Sequence, residues 1–334
     1  MSYRLLLSFT LAAAAHLAHA APDGAAPAPV PLAPAAPAAT PAPAAPASSL
    51  APAAPAFVSA PSAPASISPP AAAPSVPAPI RFLLTFDDGP SASAGDNPTV
   101  RILDTLARNG VQDGIKAVFF TQTRHWRGGG TRVGRALIRR EHEAGHVVAL
   151  HSATATHANH RFMAAEELDE SLRRGVDDLR TLTGVAPVLV RPPFWAYDAA
   201  TLEGYHRHGL HMLLTDLNAN DGKIWGVNFN WHKRSNMLKM LTETRARWAA
   251  GAMHTVDGNT PVVVTFHDVN SYTARNLEVY LRILLDVARE LDMPVADNPF
   301  YDEHDALERA ALASTVKSAA EHPKLPGFWN WLWQ

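Results

Sequence analysis

From residue 80 to residue 291, short runs rich in β-branched and aromatic residues alternate with longer amphipathic stretches. A chain patterned this way has few means of burying its apolar faces, and strands separated by helices of this length imply a parallel sheet. Residues 81–86, 116–121, 147–150, 188–190, 212–215 and 262–266 read as strands. Residues 98–109, 131–144, 164–183, 198–208, 232–250 and 273–291 read as helices. In the third of these, Leu168, Leu172, Val176, Leu179 and Leu182 recur on one face, and Gly184 follows as a stop signal. Asn97 is placed to cap the first helix, and Gly110 and Gly145 to end the first and second. The fold class is α/β, and strands of this number leave both an open sheet and a closed barrel possible.

The ends of the chain are of a different kind. Residues 21–79 are mostly Ala, Pro and Ser and hold 18 of the 28 prolines. Such a segment buries too little apolar surface to offset its ordering entropy, so it is expected to be an extended tether without chemistry. Before it, Arg4, the apolar run 5–15 and Ala18-His19-Ala20 have the pattern of a secretory signal. The expectation is therefore export, to the periplasm or to the extracellular space and cell wall. No later stretch is long and apolar enough to span a bilayer. The chain has no cysteine, which excludes disulfides, zinc–thiolate sites and lipid attachment through a thiol. A formal charge of 29 − 31 = −2 offers nothing to nucleic acid. The expected organisation is a signal at 1–20, a linker at 21–79, a catalytic domain at 80–295 and an extension at 296–334. That extension carries Trp329, Trp331 and Trp333 on alternate positions. Oligomeric state is left open.

Polar clusters fall just beyond the predicted strands, at the edge where active sites of parallel α/β folds assemble. They are Asp87-Asp88-Gly89-Pro90, the histidines His151, His157 and His160, Arg191-Pro192-Pro193-Phe194, the segment from Asp216 to Asp221, and His267-Asp268. Adjacent carboxylates repel unless a cation or a proton shares their site. One carboxylate with two histidines makes a three-ligand site that keeps a position open, as catalytic metals require. Imidazole suits zinc, cobalt or nickel. Arg191, following buried valines, needs a charge partner, and Asp221 or Asp216 is the natural one. His267 ends an apolar run and reads either as a general acid or as a satisfied core residue.

Taken in order, these segments resemble polysaccharide deacetylases with the NodB homology domain, carbohydrate esterase family 4, over roughly residues 81–291. Residues 116–120 resemble that family's second strand. The resemblance implies a distorted (β/α) barrel with parallel strands. It also implies an exported, metal-dependent hydrolase that removes N-acetyl groups from N-acetylglucosamine-type residues of a polysaccharide: peptidoglycan, a chitin-like polymer or an exopolysaccharide. The cofactor implied is one divalent metal, zinc first and cobalt or nickel as alternatives. Asp87 then corresponds to the catalytic base, Asp88 and His151 to metal ligands, Arg191 and Asp221 to the pair positioning base and acid, and His267 to the general acid. Phe194, through its backbone N–H, would join the oxyanion site, and Phe194, Trp195 and Trp225 would contact substrate.

The sequence departs from the family pattern in places. Ala155 stands where the family has its second histidine, so His157 is expected as that ligand, with His160 as the alternative. Gly222 stands where a tryptophan usually follows the aspartate, leaving Trp225 to supply that wall. Val263 and Thr265 replace two leucines, and Thr265 is expected to make the pocket for the acetyl methyl less apolar. Two further readings fit the same residues: an O-acetyl xylan esterase, and a non-catalytic tethered glycan-binding domain.

Overall fold

The structure, a computed structural model, describes residues 77–221, 223–224, 227–228 and 233–321, with backbone alone at 223–224 and 227–228. The expected signal, the linker up to residue 76, Trp225 and the three C-terminal tryptophans lie outside the described residues.

The elements run β1 (Ile80–Asp87), α1 (Pro98–Ala107), β2 (Val118–Gln122), α2 (Arg132–Glu143), β3 (Val147–Ser152), α3 (Ala165–Thr183), β4 (Leu189–Val190) and α4 (Ala199–Arg207). Then come β5 (His211–Met212), β6 (Leu217–Asn218), the antiparallel pair β7 (Lys223–Ile224) and β8 (Val227–Asn228), α5 (Lys233–Ala249), β9 (Thr260–His267), α6 (Ser271–Glu290), β10 (Val295–Phe300) and α7 (His304–Ala313). Helix ends follow the cap chemistry of the sequence. Asn97 accepts from Val100 N at the start of α1, Thr131 from Gly134 N at the start of α2, and Gly184 closes α3 at φ +81°.

The main sheet is parallel, in the order β5-β4-β3-β2-β1-β9-β6, with β10 added beside the first half of β1. Residues alternate between its two faces, as a strand requires. On β1, Phe82, Leu84 and Phe86 pack outward in one core with α1, α5 and α6, while Leu83 faces a second core on the other side. The second core holds Val118 and Phe120 of β2, Val147 and Ala149 of β3, Leu189 of β4 and Val263 of β9. This is the concave, inner face. Continuing the inward columns, by two residues on β2, β3 and β4 and by four on β1 and β9, reaches Gln122, His151, Arg191, Asp87 and His267. Strand parity alone therefore turns these polar side chains towards one interior.

The two edges of the sheet come together without forming a ladder. Leu213 N donates to Val190 O (3.0 Å) on one edge, and Asp216 N donates to Val263 O (3.0 Å) on the other. Three residues of extended chain reach no further than about 10 Å, so the sheet is curled and its seam is bridged by the chain itself. The distorted barrel implied by the resemblance is thus an incomplete one.

One boundary differs from expectation. The predicted domain end at residue 295 falls on the first residue of β10, whose Val295 and Phe300 are in register with Ile80 and Phe82. Leu307, Ala310 and Ala311 of α7 complete the inner core, and Val316 bridges back to Met212. The apolar signal in β10 is broken by Asp297, Asn298 and Pro299, as befits a strand whose middle is exposed, and this hid it from periodicity.

Candidate active site

Asp87 and His267 are register partners at the ends of β1 and β9, which sets them side by side. Asp87 receives Nη1 of Arg191 at 2.8 Å. Arg191 is fully buried, and each of its nitrogens is bonded: Nη1 also reaches Thr85 Oγ1 (2.6 Å), Nε reaches Leu213 O (2.9 Å) and Nη2 reaches Leu214 O (2.9 Å). Leu213 and Leu214 lie in the seam, so the guanidinium satisfies carbonyls that no neighbouring strand covers. It also lies over the Phe120 ring at 4.1 Å and the Trp195 ring at 5.1 Å.

The partner of Arg191 is therefore Asp87, and neither Asp221 nor Asp216 as the sequence suggested. Asp216 pairs with Arg247 (2.5 Å) and accepts from Val263 N (2.8 Å). Asp221 is buried and pairs with His267, Nδ1 to Oδ1 at 2.7 Å, while His267 N and Thr273 Oγ1 donate to its other oxygen at 2.9 and 2.5 Å. Burial alone would lower the imidazole of His267, but Asp221, with Asp88 and Asp87, raises it to about 10. With Nδ1 held by Asp221, Nε2 is turned to Asp88 (Oδ2 at 4.0 Å).

Asp88 leaves the strand in a left-handed conformation, φ +70°, and Gly89 follows because a Cβ there would meet the carboxyl of Asp268 at 2.1 Å. Asp88 Oδ1 lies 3.2 Å from His151 Nε2 and 3.5 Å from His157 Nε2, and the two nitrogens are 3.2 Å apart. A tetrahedral ion with ligands at about 2.0–2.1 Å holds those ligands about 3.3–3.4 Å from one another, so the triangle fits such an ion. The chemistry of the donors agrees. His151 Nδ1 faces Arg191 O at 2.8 Å, and a carbonyl only accepts, so the neutral ring turns a bare lone pair on Nε2 towards the other two atoms. Burial holds His157 down to about 4, which leaves it neutral at pH 7. Although burial opposes it, the His151 and His157 rings beside it and the charged His267 hold the Asp88 carboxyl well below the usual carboxylate range.

His160 is turned away: Nδ1 meets Tyr205 OH at 2.9 Å, and burial lowers its imidazole to about 3. Phe194 stacks on His157, centroids 4.4 Å apart, in a left-handed conformation at φ +60°, and is 39% exposed. Trp195, expected to contact substrate, is instead buried in the core formed by α3 and α4 and underlies Arg191. Thr265 also departs from expectation. Its hydroxyl is buried and bonded to Thr85 Oγ1 (3.0 Å), in line with Arg191, so its polarity is taken up inside the barrel.

The sequence reading missed Gln122. Its Nε2 donates to Asp88 Oδ1 (3.1 Å) and its N–H to Gly89 O (2.8 Å), clasping the turn that carries Asp88. The inward parity of β2, two residues past Phe120, is the signal that points to it. Asp88, Gln122, His157, Asp221 and His267 line a cleft of about 370 Å³, together with His125 and Arg127.

Comparison with known proteins names the family. Residues 77–213 match the model of the polysaccharide deacetylase family, a stretch that holds Asp87, Asp88, both histidines of the triangle and Arg191. Among curated proteins, this chain is 27% identical over 203 residues to a chitin deacetylase of Pestalotiopsis sp, covering 60% of this chain and 61% of that one. It is 28% identical over 201 residues to the peptidoglycan-N-acetylglucosamine deacetylase of Listeria monocytogenes, covering 60% of this chain and 35% of that one. The alignments thus span less than two thirds of the length of these relatives. Among solved structures, the chitin deacetylase of Colletotrichum lindemuthianum superposes with a TM-score of 0.49 at 21% identity, over 67% of this chain and 88% of that one.

Proposed function

We propose that this protein is an exported, metal-dependent deacetylase that removes N-acetyl groups from N-acetylglucosamine-type residues of a polysaccharide. The observation that carries the reading is the arrangement of two charge pairs, Asp87–Arg191 and His267–Asp221, around the triangle of Asp88, His151 and His157. The secretory pattern of residues 1–20 supports export. Among the described residues no helix is long and apolar enough to cross a membrane.

Asp88, His151 and His157 would hold the metal, and zinc suits one carboxylate with two neutral imidazoles. Bound there, a divalent ion supplies Lewis acidity that activates water and polarises the acetamide carbonyl. Asp87, fixed in direction by its bond from Arg191, takes the proton of the attacking water. Phe194 N–H makes no hydrogen bond among the described residues and is free to donate to the developing oxyanion, an interaction worth about 3 kcal/mol in comparable sites. His267 carries its proton on Nε2, facing the cleft, and passes it to the departing amine. An amide needs that proton, because an amine anion is a far worse leaving group than the hydroxide whose expulsion would reverse the attack.

Acetate release from N-acetylglucosamine oligomers, measured together with bound metal, tests the roles. Asp87→Asn should keep the metal and lose turnover, whereas Asp88→Asn should lose the metal. Full activity in the first variant removes Asp87 as base. Acetate from acetylated xylan but none from the amide would replace the reading with an esterase, and no acetate from either would leave a glycan-binding domain.

A further inference from the structure

We propose that the loop after β2, residues 123–131, forms a subsite for a carboxylate-bearing sugar unit next to the N-acetyl group being removed, with Arg127 as its selecting residue. The inference rests on the deacetylase reading of the neighbouring centre.

Two arginines sit in this loop and they are used differently. Arg124 donates to both oxygens of Asp178, at 2.7 and 2.9 Å, so its charge is matched within the protein. Arg127 lines the cleft that contains Asp88 and His267, and its side chain makes no ion pair or hydrogen bond among the described residues. Its guanidinium carbon lies over the Trp126 ring, 4.1 Å from the ring centroid. A guanidinium spread on an indole face keeps its planar fork of donors free at the edge, which matches a carboxylate bidentately.

Among the described residues that line the cleft Arg127 is the only arginine or lysine, and His267 is paired to Asp221 at 2.7 Å. The loop is also held in place relative to the centre. Ala92 N donates to Arg127 O (3.0 Å), Trp126 N donates to Ala155 O (3.3 Å), and Gly128 N and Gly130 N both reach His125 O (2.9 and 3.0 Å). A Cβ on Gly128 would come within 2.7 Å of Pro90 O, and one on Gly129 within 2.4 Å of Gln122 O. Pro90, Gln122 and Ala155 belong to the segments that carry Asp88 and His157, so Arg127 is anchored to the same frame as the triangle. Beside it, Trp126 is 59% exposed. Of the exposed large apolar side chains among the described residues, the aromatic ones, Trp126, Phe162 and Phe194, follow β2, β3 and β4 at this edge. Such faces stack on sugar rings, and the unmatched cation between Trp126 and the cleft adds a preference for an acidic one.

The test compares three oligomers that all carry N-acetylglucosamine: neutral chitotetraose, the peptide-free tetrasaccharide alternating with N-acetylmuramic acid, and the hyaluronan tetrasaccharide. The first acidic probe presents an ether-linked lactyl carboxylate and the second a uronate. At least one should exceed chitotetraose in kcat/KM through a lower KM. In Arg127→Ala the ratio of acidic to neutral kcat/KM should fall at least about tenfold, and Arg127→Lys should restore part of it. Which acidic probe is preferred identifies the source of the carboxylate. Equal or better use of chitotetraose by the parent protein, or an unchanged ratio in Arg127→Ala, overturns the proposal. Calorimetric binding to the Asp87→Asn protein separates the two readings if no acetate appears. Arg127-dependent binding of an acidic probe would keep the subsite and sink the deacetylase, whereas binding blind to charge, or none, would sink the subsite.

Discussion

Arg191 shows how one residue can serve both architecture and chemistry. Its guanidinium closes the seam at Leu213 and Leu214 and steadies Asp87, and a lysine could do no more than one of these. The histidines show a choice among similar residues. His157→Ala should lose bound metal and acetate release together, while His160→Ala, whose ring bonds Tyr205, should keep the metal; metal analysis of the purified variants decides, and the reverse pattern exchanges the two. Glu141 is a third case. It is buried on α2 with neither carboxyl oxygen hydrogen-bonded, and burial, reinforced by Asp268, pushes its carboxyl well above the usual range. The folded protein therefore holds a proton that the unfolded chain releases above about pH 4.3. Stability is complete below that pH and is lost as pH rises towards the folded value. Glutamine has no proton to lose, so the stability of Glu141→Gln relative to the parent should grow from pH 5 to pH 8, by up to about 1.4 kcal/mol per unit. Urea unfolding at the two pH values measures this, and a constant difference would mean that Glu141 is ionised in the fold.

At the scale of elements, the site is a set of strand ends whose inward parity continues past the last ladder bond. The turn after β1 is the tightest part. Asp88 is held by Gln122, and Gly89 is pressed against Asp268, whose carboxyl is fixed by Thr99 Oγ1 at 2.7 Å from the start of α1. Gly89→Ala must displace that carboxyl or the turn. Overpacking of this kind costs about 1–3 kcal/mol, and because the turn carries Asp88 the variant should also bind metal more weakly. A variant with parental Tm and parental metal content would show that Asp268 moves aside freely. Six of the strands, the helices between them, the cap at Asn97 and the stops at Gly145 and Gly184 are legible in the sequence because periodicity and cap chemistry are local. β10 and α7 are not, since β10 pairs with a strand more than 200 positions away and α7 packs on a core drawn from several distant strands.

At the scale of the molecule, the sheet curls around an inner core that its last elements complete. Lys116 N donates to Tyr301 O (2.7 Å), and Tyr301 and Leu307 pack against the inner face. Truncation after residue 295 should therefore yield protein that is insoluble or lacks a cooperative thermal transition, where the expected domain boundary would have allowed a stable product. Soluble, active protein from that truncation would contradict the role of β10. At the other end, Ala78 O accepts from Trp248 Nε1 (2.8 Å) and Pro79 O from Thr260 N (2.8 Å), so the ordered body begins before the predicted residue 80. Deleting residues 21–76, which carry none of the site residues, should leave kcat on short soluble oligomers unchanged; a large fall would tie that segment to the domain.

The sequence by itself determined the alternation of strands and helices, the edge at which the polar residues gather, and the motifs by which residues 77–213 match their family. Each of these is a property of a few neighbouring residues or of a period along the chain. Only the tertiary structure decided that Arg191 meets Asp87, that His157 and not His160 joins Asp88 and His151, that Trp195 is buried, and that Thr265 is bonded to Thr85. Those outcomes depend on which strand parity faces inward and on where the seam falls, and such through-space relations leave no mark in local order.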